Sequence, residues 1–117
     1  MLRLLRATIN TWRGLVAAAR SEEAFRQELA ALVVAIPLAF FVAETGWKRL
    51  LLVAVICFVL VVELLNTAIE KLADQVNPAV HPQIGLIKDM GSAAVGLSLL
   101  IAGAVWLLAL AEWLALM

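Results

Sequence analysis

Charge is scarce in this sequence. Of its 117 residues 15% are charged and 65% are hydrophobic, a balance that excludes an ordinary soluble globular domain and points to a bilayer. There is one cysteine, Cys57, set in an apolar run, so a disulfide framework is excluded and packing is its expected role. No G-x-x-x-x-G-K-[ST] string occurs, which excludes a P-loop for any nucleotide. No cleavable signal peptide is expected, because the apolar stretch 14–19 is too short and lies between Arg13 and Arg20. The length suits one domain, 1–117, with no room for a separate soluble catalytic unit. No nucleic-acid partner is expected.

A long uninterrupted apolar run at the centre is missing too. Residues 50–62 read LLLVAVICFVLVV, thirteen residues, whereas a spanning helix needs roughly 20. To complete the span the helix must take in Glu63, Leu64, Leu65, Asn66, Thr67, Ala68 and Ile69. Glu63 therefore lies inside the hydrocarbon layer or at its edge. An ionisable group there costs a few kcal/mol and marks a functional site by default.

The expected fold is an all-α membrane protein with an amphipathic surface helix over about 1–20 and three spans at about 24–43, 50–69 and 93–111. Pro37 should kink the first span, and the second should continue as helix past Glu70 and Asp74. Ser21 is the expected cap of the first span, with Glu22 and Glu23 in its first turn. Gly46, Trp47, Lys48 and Arg49 read as a short turn, with Trp47 and Trp113 anchoring at one interface. Asn77, Pro78, His81, Pro82 and Gly85 read as the one substantial loop, 77–89.

Basic residues set the orientation. Arg3, Arg6, Arg13, Arg20, Arg26, Lys71 and Lys88 fall on one side and Lys48 and Arg49 on the other, seven against two. The N-terminus and the 77–89 loop are expected in the cytoplasm and the C-terminus outside. Leu2, Leu5, Ile9, Trp12 and Val16 form one stripe of the first helix, and Arg3, Arg6, Asn10, Arg13 and Arg20 occupy the rest. Such a helix lies on the cytoplasmic leaflet. It serves either as an anchor alone or as a source of arginines for phosphates of lipid or nucleotide.

Glu63, Asn66, Glu70 and Asp74 stand at i, i+3, i+7 and i+11, so they share one helix face. Glu63 and Glu70 are about 10 Å apart along the axis at 1.5 Å per residue. Across the loop, Lys88 and Asp89 precede Gly91, Ser92, Ala93 and Ala94. Each member also has a plainer use. Glu22 and Glu23 complement a helix dipole, Glu70 and Asp74 make a solvated face beside Lys71, and Asn66 glues helices. Lys88 snorkels, the glycines allow close packing, and His81 is a loop residue between prolines. Glu63 has the weakest plain use. A carboxylate partly withdrawn from water can act as general base toward a lipid hydroxyl. Glu70 with Glu22 suits a hard cation such as Mg²⁺, and Lys88 with the basic helix suits phosphate. Together these describe phosphoryl transfer from a nucleotide to a lipid alcohol.

The strings Ala24-Phe25-Arg26-Gln27-Glu28, Val62-Glu63-Leu64-Leu65-Asn66-Thr67-Ala68-Ile69-Glu70 and Lys88-Asp89-Met90-Gly91-Ser92-Ala93-Ala94-Val95 resemble the prokaryotic diacylglycerol kinases. The resemblance extends to Thr11-Trp12-Arg13-Gly14 and covers nearly the whole chain. It implies a homotrimeric kinase of the bacterial inner membrane, with sites between protomers, that uses MgATP to turn diacylglycerol into phosphatidic acid. It implies Glu63 as the catalytic base with Asn66 supporting it, and Glu22 and Glu70 as metal ligands. Arg3, Asn10, Glu22, Glu70, His81, Lys88 and Asp89 fall at nucleotide positions. Trp12, Gln27, Glu28, Glu63 and Ser92 fall at lipid-substrate positions.

Two departures bear on the nucleotide contacts. Asn10 stands where the best-known members carry tyrosine, and the stretch 79–87 lacks the acidic and arginine residues usual before the Lys-Asp pair. A sister branch phosphorylates undecaprenol. The Met90-Gly91-Ser92-Ala93-Ala94 string favours the diacylglycerol branch, while His81-Pro82 is closer to the other. Rivals from other classes are a small multidrug-type proton antiporter, which has four spans and no cytoplasmic carboxylate cluster, and a non-enzymatic membrane subunit. The latter leaves Glu63, Asn66 and Glu70 on one face unexplained.

Overall fold

The computed structural model describes residues 1–76 and 81–116. It is all-helical among the described residues: α1 (Leu2–Ser21), α2 (Glu23–Val42), α3 (Gly46–Val76) and α4 (Pro82–Leu116). Among the described residues three stretches are long and apolar enough to cross a membrane, Glu23–Val42, Gly46–Val76 and Pro82–Ala115. At 1.5 Å per residue, α3 is about 46 Å long and α4 about 52 Å, against a hydrocarbon layer of about 30 Å. Both therefore project beyond the lipid. The expected continuation of α3 past Glu70 and Asp74 is present, since the helix runs to Val76.

Lipid gives helices no hydrophobic reason to associate, so close approach through small residues has to supply it. Ala35, Ala39 and Ala43 repeat every fourth residue along α2 and its end, and all three are buried. Ala39, Val42 and Ala43 meet Leu52 and Ala109, with Val53, Val105, Trp106, Leu110 and Trp113 packed around them. Val55, Val59 and Ala102 continue the α3–α4 seam. At the other end Ala18, Phe25 and Leu60 tie α1, α2 and α3 together. In the same apolar interior the Trp106 Nε1–H donates to the Leu52 carbonyl at 3.0 Å, joining α4 to the backbone of α3.

The connections differ from the sequence expectations in three places. Ser21 closes α1 instead of capping α2, and the corner is a single extended residue, Glu22, at φ −119 and ψ 115. Arg26 holds that corner: its Nη1 donates to the carbonyls of Ala19 at 2.8 Å and Arg20 at 3.2 Å, acceptors that the end of a helix leaves open. Gly46 to Arg49 are the first turn of α3 and not a turn between spans, because Thr45 caps the helix by accepting the Lys48 N–H at 3.2 Å. The expected loop 77–89 is helical from Pro82 onward. Proline lacks an N–H, but at the first helical position none is needed. His81 caps this helix, its Nδ1 accepting the Gln83 N–H at 3.2 Å while its carbonyl accepts the Gly85 N–H at 2.9 Å. Asn77 and Pro78 lie outside the described residues. α2 runs unbroken through Pro37.

At the end away from His81, Lys48 pairs with Glu112, and Arg49 donates from Nε to the Ala43 carbonyl at 2.9 Å while lying 4.6 Å from the Phe40 ring centroid. Trp47 is exposed there, whereas Trp113 is half-buried against the Ala39–Leu52 cluster.

Trp106→Phe keeps an aromatic ring in the seam but shrinks it, and removes the bond to Leu52. Unfolding in detergent micelles should show a loss of at least about 1 kcal/mol, the bond and the smaller ring together, with helix content unchanged. An unchanged midpoint would mean that the bond contributes nothing.

Candidate active site

The helical repeat of α3 places its polar residues at depth. Glu63 is 17 residues beyond Gly46, about 25 Å along the axis, and Glu70 about 36 Å. The first is within one membrane thickness of the start of α3 and the second is past it. Glu63 is 7% exposed and Asn66 8%, and Thr67 beside them is buried as well. Glu70 is half-buried. The Asn66 Nδ2–H donates to Glu70 Oε1 at 3.3 Å, so Glu63, Asn66 and Glu70 form one continuous polar strip.

Two further carboxylates come from α2 and its corner. Burial weighs most on the Glu63 carboxylate, followed by the charges of Glu70 and Glu22, and on Glu28 burial is followed by the charge of Glu63. Glu28 Oε2 and Asn66 Oδ1 are buried without a hydrogen-bond partner. The corner at Glu22 is held by Arg26 and adjoins the Ala18–Phe25–Leu60 contact that joins α1, α2 and α3. Carboxylates that act on Glu63 oppose its charge unless protons or a cation intervene.

Among the described residues no group of three or more His, Cys, Asp or Glu side chains forms a metal cage. Mg²⁺ does not require one, since it is usually bound by one or two carboxylates together with substrate phosphates. The oxygen donors of Glu22 and Glu70 fit that chemistry.

On α4, Gly91 packs directly on Asn66. Lys88, one turn earlier, reaches back to α3 and pairs with Asp74 Oδ1 at 2.5 Å. The stripe contained the clue to this pair, since Asp74 continues the face of Glu63 and Glu70 toward α4. Asp89 and Ser92 are exposed on α4, and His81 is exposed with its ring engaged in capping. Gln27 is at the rim of an apolar groove of about 430 Å³ lined by Ala31, Ala35, Leu38, Ile56 and Trp106.

The surface-helix candidates are not brought to this cluster. α1 packs on α2 and α3 through Leu15, Ala18 and Ala19, near its C-terminal end. Arg3, Asn10 and Trp12 lie on its exposed remainder, as do Leu2, Leu5 and Ile9 of the apolar stripe. Sequence reasoning missed the brace formed by Arg26 and the partner of Lys88.

The family described as prokaryotic diacylglycerol kinase matches residues 9–110 of the chain. The diacylglycerol kinase of Pseudomonas aeruginosa is 43% identical over 104 residues, covering 89% of this chain and 85% of that one. The diacylglycerol kinase of Escherichia coli (strain K12) is 38% identical over 104 residues, with the same coverage of 89% and 85%. The diacylglycerol kinase of Helicobacter pylori (strain 26695) is 36% identical over 107 residues, covering 89% and 81%.

Glu63→Gln keeps the shape of the buried side chain and removes both its charge and its repulsion from Glu22, Glu28 and Glu70. Thermal unfolding in micelles should show the variant at least as stable as the parent, by up to about 2 kcal/mol. A marked loss of stability would show that the carboxylate holds the fold together.

Proposed function

The chain belongs to the prokaryotic diacylglycerol kinase family, and on that premise we propose how its residues carry out the reaction. It is a lipid kinase and a multi-pass membrane protein. In our reading the hydroxyl of diacylglycerol reaches Glu63 from the lipid side, and the Glu63 carboxylate takes its proton. The freed oxygen attacks the γ-phosphorus of ATP, the bond to the bridging oxygen breaks, and phosphatidic acid and ADP leave. The observation that carries this reading is a buried carboxylate, Glu63, on one face with Asn66 and Glu70 at membrane depth.

The remaining roles follow the depth of each residue. Glu22 and Glu70, nearer the water, would hold Mg²⁺. When bound, the ion neutralises charge on the phosphates of the nucleotide. Asn66 holds Glu70 in place. Lys88, which pairs with Asp74 on α3, would bind the nucleotide phosphates with Asp89 beside it. Arg3, Asn10 and His81 complete the nucleotide contacts. Arg3 and Asn10 reach them from a surface helix that covers the site in the assembled protein. Trp12, Gln27, Glu28 and Ser92 meet the lipid substrate. The protein works as a homotrimer in the bacterial inner membrane, with the N-terminus cytoplasmic and the C-terminus periplasmic. This assembly accounts for the exposure of Arg3, Asn10 and Trp12 in one chain.

Phosphorylation in mixed micelles with ATP and Mg²⁺, offered diacylglycerol and undecaprenol in parallel, tests the proposal. Transfer to diacylglycerol is expected. A clear preference for undecaprenol would keep the base and metal chemistry and replace the substrate. No transfer to either lipid by well-folded protein would overturn the proposal, and transport of cationic dyes without ATP would replace it with an antiporter.

A further inference from the structure

Gly91 is buried where α4 crosses α3. A Cβ built on it would collide with Asn66 Oδ1 and stand 3.2 Å from Asn66 Cγ and 4.0 Å from Asn66 Cβ, so all three nearest atoms belong to one side chain. The other glycines of α4 behave differently: at Gly85, Gly96 and Gly103 a Cβ would meet nothing within 4 Å. Steric demand for glycine is thus confined to the position opposite Asn66.

The carboxamide of Asn66 is rigid and planar, and its two ends are engaged differently. Its oxygen is buried against Gly91 without a hydrogen-bond partner. Its nitrogen donates to Glu70 Oε1 at 3.3 Å. Fixing the oxygen fixes the direction of the nitrogen. A side chain at 91 would drive the oxygen out, rotate the amide and release the Glu70 carboxylate.

We propose that Gly91 is a positioning residue for the site. The notch it leaves in α4 sets the Asn66 amide, and through that amide it orients Glu70 toward the cation. The inference rests on the reading of Glu70 as a cation ligand. It assigns to Gly91 more than close helix packing, which the neighbouring small residues share.

A double-mutant cycle on the full-length protein in micelles tests this. The variants are Gly91→Ala, Asn66→Ala and the two combined. Mn²⁺ affinity is read by EPR in the presence of a non-hydrolysable ATP analogue, and unfolding temperature is read alongside. Gly91→Ala alone should weaken Mn²⁺ binding by about tenfold or more, the usual effect of disturbing a group that orients a ligand. It should also lower the unfolding temperature. Added to Asn66→Ala, which removes the oxygen, it should change neither quantity. Equal effects in both backgrounds, or a harmless Gly91→Ala, would overturn the proposal. Should Gly91→Ala alone not fold, the combined variant decides: folding like Asn66→Ala supports the notch, and failure to fold refutes it. Unchanged Mn²⁺ affinity in Asn66→Ala, with non-additive unfolding temperatures, would remove Glu70 as a ligand and leave the placement of Asn66 by Gly91 standing.

Discussion

Burial of the Glu63 carboxylate, with the charges of Glu70 and Glu22 acting on it, is the constraint around which this molecule is arranged. An isolated carboxylate held in lipid already costs a few kcal/mol, and here Glu70 and Glu22 act on Glu63 while Glu63 acts on Glu28. Nothing in such a cluster favours its own assembly, so rigid elements must impose it. α3 does so by running unbroken from Gly46 to Val76, which fixes the 10 Å step between Glu63 and Glu70 by helical rise alone. The Glu22 corner brings the third carboxylate in, and Arg26 secures that corner by satisfying the open carbonyls of α1. Asn66, lodged against Gly91, secures the fourth side of the arrangement.

The forces that hold the helices are of a different kind from those that shape the site. Alanines 35, 39 and 43 let α2 approach its neighbours closely, and Trp106 pins α4 to the Leu52 carbonyl far from the carboxylates. The ion pair Lys48–Glu112 and the Arg49 contact close the opposite end. The alanine seam and the far end do not involve Glu22, Glu28, Glu63 or Glu70, whose charge a cation and phosphates can relieve.

Much of this was legible in the sequence because it depends on spacing within one helix. Glu63, Asn66, Glu70 and Asp74 at i, i+3, i+7 and i+11 had to share a face, and the short run 50–62 had to draw Glu63 into the bilayer. Contacts between helices depend on crossing points, which spacing does not encode. The fit of Gly91 to Asn66, the reach of Lys88 to Asp74 and the return of Arg26 to the carbonyls of α1 are of this kind. The helix boundaries misled for local reasons. Pro82 and Gly85 read as loop residues, yet proline at a first helical position and a histidine cap start α4 well before the apolar stretch. Ser21 is a good capping residue by type, but α1 continues through it and the turn falls on Glu22. Arg3, Asn10 and Trp12 were singled out through family resemblance, and one chain leaves them on the open part of α1.

In the proposed reaction Glu63 serves the chemical step and not the binding of nucleotide or the fold. The most direct measurement sets turnover of diacylglycerol by Glu63→Gln beside its equilibrium affinity for MgATP. Turnover should fall by about a hundredfold or more, the usual loss on removing a general base, with nucleotide affinity within a few-fold of the parent. Retained turnover, or a loss explained wholly by weaker nucleotide binding, would contradict it.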